Sequence, residues 1–282
     1  MRAKLAARLG SEIASVHAAD GGDINQCFRI ELRDRRRLFV KTHAAPPAGM
    51  YAAEAHGLAW LAEAHALRVP AVVFVDDEPP ACLVLEAIES GPRARDFDEA
   101  LGTGLAALHR FGAASFGLDR PNYIALLAQD NSTRPTWSRF YAEQRIGPQT
   151  ALASSKQRID AALARRLERL TDAFDALLGP EEAPSRLHGD LWGGNLLCDE
   201  RGAPCLIDPA VYAGHREIDL AMMRLFGGFG ERVFEAYDEA FPLAPDHAER
   251  VALYQLYPLL VHVNLFGGSY VSQVERVVNR YA

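Results

Sequence analysis

The string His188-Gly189-Asp190-Leu191-Trp192-Gly193-Gly194-Asn195 sets a carboxylate five positions before a side-chain amide. The glycines between them favour neither a regular helix nor a strand, so the segment reads as a loop that aims side chains. A second acid, Asp208, stands before Pro209 at the end of an apolar run, where a carboxylate projects beyond a strand. Phosphoryl transfer asks little covalent chemistry of a protein. It needs a group to accept the proton of an acceptor hydroxyl, and oxygen ligands to hold Mg2+ on nucleotide phosphates. Asp190 suits the first role, as catalytic base, and Asn195 and Asp208 suit the second, as metal ligands. Each alone reads as a turn former or helix cap; their joint order points to ATP-dependent transfer.

Upstream, Lys41 on a strand is followed thirteen residues later by Glu54 on a helix, the spacing at which a carboxylate holds an ammonium against the α- and β-phosphates. Gly21 and Gly22, placed before what reads as the first strand, would let backbone N–H groups approach phosphate closely. Asp219 opens the apolar run Leu220 to Phe226, so it is expected to cap a helix while accepting N–H groups from the 188–195 loop, in support of catalysis. His188 is expected to orient that loop, and Trp192 either to stack on a sugar-like substrate or to fill core. Cys27 reads as a small core residue.

These residues require positioning elements. Phe28, Ile30 and Leu32 alternate with polar residues, and Leu38 to Lys41 follow a charged turn, which predicts a β-hairpin. A helix is expected over 50–67, stopped by Pro70, and two further strands over 71–75 and 82–85. Helical periodicity covers 97–111, 156–178, 217–226, 231–240 and 248–265, and a short hairpin joins 195–198 to 205–207. The expected class is therefore α+β with two lobes, residues 1–88 forming a nucleotide lobe and 89–282 a larger, mainly helical lobe, with 87–95 as linker.

The 282 residues are 49% hydrophobic, enough for a sizeable core, and 30 Lys and Arg against 37 Asp and Glu give a net charge of −7. That balance argues against nucleic acid or an anionic membrane as partner. Four scattered cysteines show no zinc-ligand spacing and read as reduced thiols of a cytoplasmic protein. The first ten residues lack the apolar stretch of a signal peptide, and no stretch approaches the roughly 20 apolar residues that span a bilayer. Nothing in the sequence sets the oligomeric state.

His-Gly-Asp followed by Asn195 and then Asp208-Pro209 resembles the protein-kinase-like small-molecule kinases. Gly21-Gly22-Asp23-Ile24-Asn25-Gln26, Phe39-Val40-Lys41, Ala53-Glu54-Ala55-His56-Gly57-Leu58, Leu191-Trp192-Gly193, Asp208-Pro209-Ala210, Asp219-Leu220-Ala221-Met222 and Asn264-Leu265-Phe266-Gly267-Gly268 narrow the likeness to the fructosamine kinase (ketosamine 3-kinase) family, from about residue 10 onward. The resemblance implies a two-lobed protein-kinase-like fold and a kinase using ATP and Mg2+ on the O3 hydroxyl of a ribulosamine, erythrulosamine or fructosamine, small or protein-linked, leading to deglycation. It also implies Leu85 as gatekeeper and the backbone of Glu86 and Ile88 as the adenine contact. His215 stands where the family pattern has an acid, which bears on substrate preference. The alternatives are an aminoglycoside or choline-type kinase and a catalytically inactive nucleotide-binding module. The ten residues between Asp208 and Asp219 are too few for the activation segment of a protein kinase.

Overall fold

The computed structural model describes residues 2–19 and 24–281. Helix α1 (Arg2–Leu9) leads into strands β1 (Ile13–Ala19), β2 (Gln26–Leu32) and β3 (Arg37–Thr42), then helix α2 (Met50–Ala62), then β4 (Val72–Asp76) and β5 (Cys82–Glu86). The strands form one antiparallel sheet in the order β1-β2-β3-β5-β4.

Strand parity explains on which face of this sheet Lys41 emerges. Leu38 and Val40 of β3, with Cys82 and Val84 of β5, pack with Leu5 and Leu9 of α1 on one face. Leu83 and Leu85 pack with Met50, Tyr51 and Leu58 of α2 on the other. Successive side chains alternate between faces, so Lys41, next to Val40, must emerge on the α2 side, where Glu54 stands.

The remainder is mainly helical. Helix α3 (Phe97–Phe111) packs along helix Glu231–Ala240, and a second core gathers Trp137, Tyr141, Leu167, Tyr254 and Leu260. Two short antiparallel pairs, Leu196–Cys198 with Pro204–Leu206 and Ser185–Leu187 with Tyr212–Gly214, carry the polar loops between them.

Several expectations are corrected. β1 precedes the glycine pair, which therefore does not stand before the first strand; β1 lies at the sheet edge and is largely exposed, so it lacks the apolar alternation that marks a half-buried strand. Gly21 and Gly22 themselves lie outside the described residues. Helix α2 ends at Ala62 and not at Leu67, and His65 adopts a left-handed φ of 49°. The stretch 156–178 is split, because Asp160 caps a new helix, Ala161–Asp172, by accepting from the Leu163 N–H at 2.7 Å. The stretch 248–265 is two helices, His247–Tyr254 and Leu256–Phe266, and a final helix, Ser269–Tyr281, was not anticipated. Among the described residues no helix is long and apolar enough to cross a membrane.

Candidate active site

The loop Leu187–Asn195 and the segment Ile207–Ala210 are stitched together by backbone and imidazole contacts. Ala210 N–H donates to His188 O at 2.9 Å, and Ile207 N–H donates to Asn195 O at 3.1 Å. His188 Nε2 donates to Ile207 O at 2.9 Å while its Nδ1 accepts from the Asp190 N–H at 3.3 Å. A carbonyl can only accept, so this pair of contacts fixes one neutral tautomer. Burial lowers the His188 pKa further, so the ring orients the loop and carries no charge. Gly189 is required here: its φ is +83°, and a Cβ would stand 2.1 Å from Ala210 O.

Asn195 Nδ2 donates to Asp190 O at 2.7 Å and to Asp190 Oδ2 at 3.1 Å. Asp190 opens onto a cavity but is otherwise enclosed, and this desolvation pushes its pKa up to about 7, against the opposing pull of Asn195. Asp208 adopts φ 55°, uncommon for a residue with a side chain. That turn brings its Oδ1 to 2.5 Å from Lys41 Nζ, which lies 2.7 Å from Glu54 Oε1. Burial opposes the Lys41 charge, but Asp208 and Glu54 more than offset it and hold its pKa above the ordinary value. Burial raises that of Glu54.

Asp219 accepts from the N–H groups of His188 at 2.7 Å and Gly189 at 2.9 Å. These contacts tie it to the loop, but it does not cap: it sits inside helix Glu217–Phe226, whose N-cap position is Arg216. Despite burial, the His109 contact and the loop N–H groups hold its pKa below the ordinary value. His109 bridges Asp219, 3.3 Å away, to the Tyr237 hydroxyl, 2.8 Å away. Sequence reasoning missed this pair. The signal was available in α3, where His109 continues the buried stripe of Leu101 and Leu105 at helical spacing. Asn122 was missed as well; its Nδ2 donates to Val211 O at 2.7 Å, beneath the Asp208 segment.

Two cavities meet at Asp190 and Asp208. The smaller, about 130 Å3, is lined by Lys41, Glu54 and Asn122. The larger, about 560 Å3, is lined by Asn195, Trp192, Phe226, His262 and Tyr270. Trp192 is 41% exposed and so belongs to the cavity wall rather than the core. Its indole lies over Gly194, where a Cβ would come within 2.3 Å of the ring. Glu86 and Ile88 line neither cavity. The Glu86 carboxylate is held by Arg68 at 2.7 Å, its N–H donates to Ala71 O at 2.8 Å, and Ile88 O accepts from Arg29 at 3.2 Å. His215 lines neither cavity and instead stacks on Tyr254 at 5.3 Å in the core. Cys27 is buried, which raises its pKa to about 11.

An antiparallel sheet with its helix-paired lysine, joined to a helical part that presents two acids and an amide at one cavity junction, defines a protein-kinase-like phosphotransferase. A family model described as fructosamine kinase matches residues 2–282, and the chain belongs to that family. A protein of Enterococcus faecium named "Probable ketoamine kinase" is 37% identical, with 93% of each chain covered. The chloroplastic protein-ribulosamine 3-kinase of Oryza sativa is 34% identical over 96% of this chain and 80% of its own. A Thermobifida fusca crystal structure assigned to the fructosamine-3-kinases superposes with a TM-score of 0.91 at 40% identity, covering 100% of this chain and 98% of that one.

Proposed function

We propose that this chain transfers the γ-phosphoryl group of Mg·ATP to the O3 hydroxyl of a ketosamine, the adduct left on an amine after glycation. The observation that carries this reading is the position of Asp190, at the junction of a cavity that holds the Lys41–Glu54 pair and a larger, aromatic-walled one. With a pKa near 7, Asp190 is poised to take the O3 proton as the oxygen attacks the γ-phosphorus and the bond to the β-phosphate oxygen breaks. Lys41, steered by Glu54, meets the α- and β-phosphates.

Asn195 and Asp208 fit a hard divalent cation. The Asn195 amide nitrogen is committed to Asp190, which turns its carbonyl oxygen outward, and Asp208 keeps a second carboxylate oxygen beyond the one on Lys41. Two side-chain oxygens suit Mg2+ that shares its shell with substrate phosphates and water. When bound, the ion neutralises charge on the transferring group. Residues 1–88 act as nucleotide lobe and 89–282 as catalytic lobe. Adenine is assigned to the backbone of Glu86 and Ile88, beyond Leu85, on the strength of the family resemblance.

The enaminol form of the product can expel phosphate, a better leaving group than hydroxide, from C3, and water then hydrolyses the resulting imine to the free amine and a deoxy dicarbonyl sugar; deglycation in the cytoplasm is the resulting role. The acid groups of the larger cavity, Asp190 and Asp208, sit at its catalytic end, whereas its far end is aromatic and aliphatic. That lining favours a sugar-like acceptor over a polycationic antibiotic. Trp192 crowds that space, which favours ribulosamine and erythrulosamine over fructosamine. A mass-spectrometric screen with Mg·ATP against these ketosamines, aminoglycosides and choline tests the reading. Phosphorylation confined to the latter two would overturn it.

A further inference from the structure

Helix Leu256–Phe266 brings His262 to the wall of the larger cavity, with ring centroids of Phe226, Phe266 and Tyr270 at 4.7, 5.5 and 4.9 Å. Its Nδ1 lies 2.7 Å from Pro258 O, one helical turn earlier. A carbonyl only accepts, so Nδ1 carries the hydrogen and Nε2, on the opposite edge of the ring, carries a lone pair. Burial lowers the His262 pKa, with the Pro258 carbonyl as a lesser opposing influence, and this favours the neutral ring. Among the described residues no hydrogen-bonding group meets Nε2.

The proton transfer at Asp190 leaves this arrangement unused. A ketosamine differs from a plain ketose by a secondary amine, protonated at neutral pH, a short carbon chain away from O3. With O3 at Asp190, that ammonium reaches the part of the same cavity beyond Asp190 and Asp208, where the described lining holds aromatic and aliphatic side chains and His262 but no further carboxylate. A neutral imidazole acceptor ringed by aromatic faces is a suitable receptor for such a cation.

We propose that His262 is the residue that reads the amine: its Nε2 lone pair accepts a hydrogen bond from the secondary ammonium, while the faces of Phe226, Phe266 and Tyr270 stabilise the charge. His262 is thereby a specificity-determining residue and takes no part in proton transfer to or from O3. The inference rests on the ketosamine reading given above.

Calorimetric titration of the intact chain with N-propyl ribulosamine, and with the matched ether in which oxygen replaces the amine, reads the contrast directly. Wild-type protein is expected to bind the amine on the order of tenfold to a hundredfold more tightly than the ether. His262→Phe preserves ring packing and is expected to bring that ratio to within about threefold. His262→Gln, whose amide oxygen can still accept, is expected to retain part of the preference. Equal wild-type affinity for the two ligands would overturn the proposal. So would an equal loss for both ligands in His262→Phe, since that is the signature of packing alone. An amine preference that disappears in His262→Phe while the wild-type chain fails to phosphorylate the ketosamine would support the His262 assignment and sink the proposed function, so the two can fail separately.

Discussion

Lys41 Nζ and Asp208 Oδ1 lie 2.5 Å apart, joining the sheet to the helical part across 167 positions of sequence. The same ammonium holds Glu54, so one buried cation neutralises two acids. Lys41→Met removes that charge and leaves both carboxylates without it, which is expected to cost about 3 kcal/mol of stability and nearly all transfer activity. Adding Glu54→Gln to Lys41→Met should recover part of the lost melting temperature without recovering activity. A double variant that melts no higher than Lys41→Met would contradict the shared-cation account.

The raised pKa of Asp190 makes two pH statements. As a base it must be ionised, so kcat/KM is expected to rise through an acid limb near pH 7, well above the ordinary carboxylate range. For stability, the folded protein holds this proton up to about pH 7 while the unfolded chain releases it near 3.8. Between those values the native state binds more protons, so stability falls as pH rises. Asp190→Asn should therefore be more stable than wild type at pH 8, by about 2 kcal/mol once solvent access through the cavity is allowed for. The difference should vanish near pH 4. A pH-independent difference would remove Asp190 desolvation as its cause.

Asp219 is expected to matter through the loop it holds. Asp219→Ala strands the buried N–H groups of His188 and Gly189 and the His109 ring, a loss of about 3 kcal/mol. Asp219→Asn keeps one acceptor and should lose less. Calorimetric melting of the two variants checks the order; equal melting temperatures would contradict it.

How much of this was legible beforehand follows from which residues announce themselves locally. The short polar strings around Asp190, Asn195 and Asp208 sit among glycines and prolines and so stand out from any apolar pattern. Helix α3 is legible over its full range because its apolar stripe is regular. Strand β1 is not, since an exposed edge strand shows no buried alternation. The left-handed turn at Asp208 was also invisible, because Asp carries no marker comparable to glycine at positive φ. The His109–Asp219 bridge spans 110 positions, and such a long-range pair appears only once α3 and helix Glu217–Phe226 are packed. His215 departs from a family pattern in sequence, yet the structure buries it against Tyr254, away from both cavities.

Trp192 gives a contrast between acceptor and donor. Trp192→Ala deletes an exposed indole from the wall of the larger cavity, and the expected result is a severalfold rise in KM for every ketosamine, with the slow hydrolysis of ATP by water nearly unchanged. A parallel loss of both activities would show that the indole supports the 188–195 loop instead of the acceptor.

The most direct measurement is the fate of the phosphate when the wild-type chain meets Mg·ATP and a ribulose-derived ketosamine. Phosphorus and proton NMR of the product should place the new phosphate on O3, followed by release of free amine and inorganic phosphate on standing. The same mixture with Asp190→Asn should show no transfer while nucleotide binding persists, a loss on the order of 10²- to 10⁴-fold. Phosphate on a different hydroxyl, or undiminished turnover by Asp190→Asn, would contradict the account.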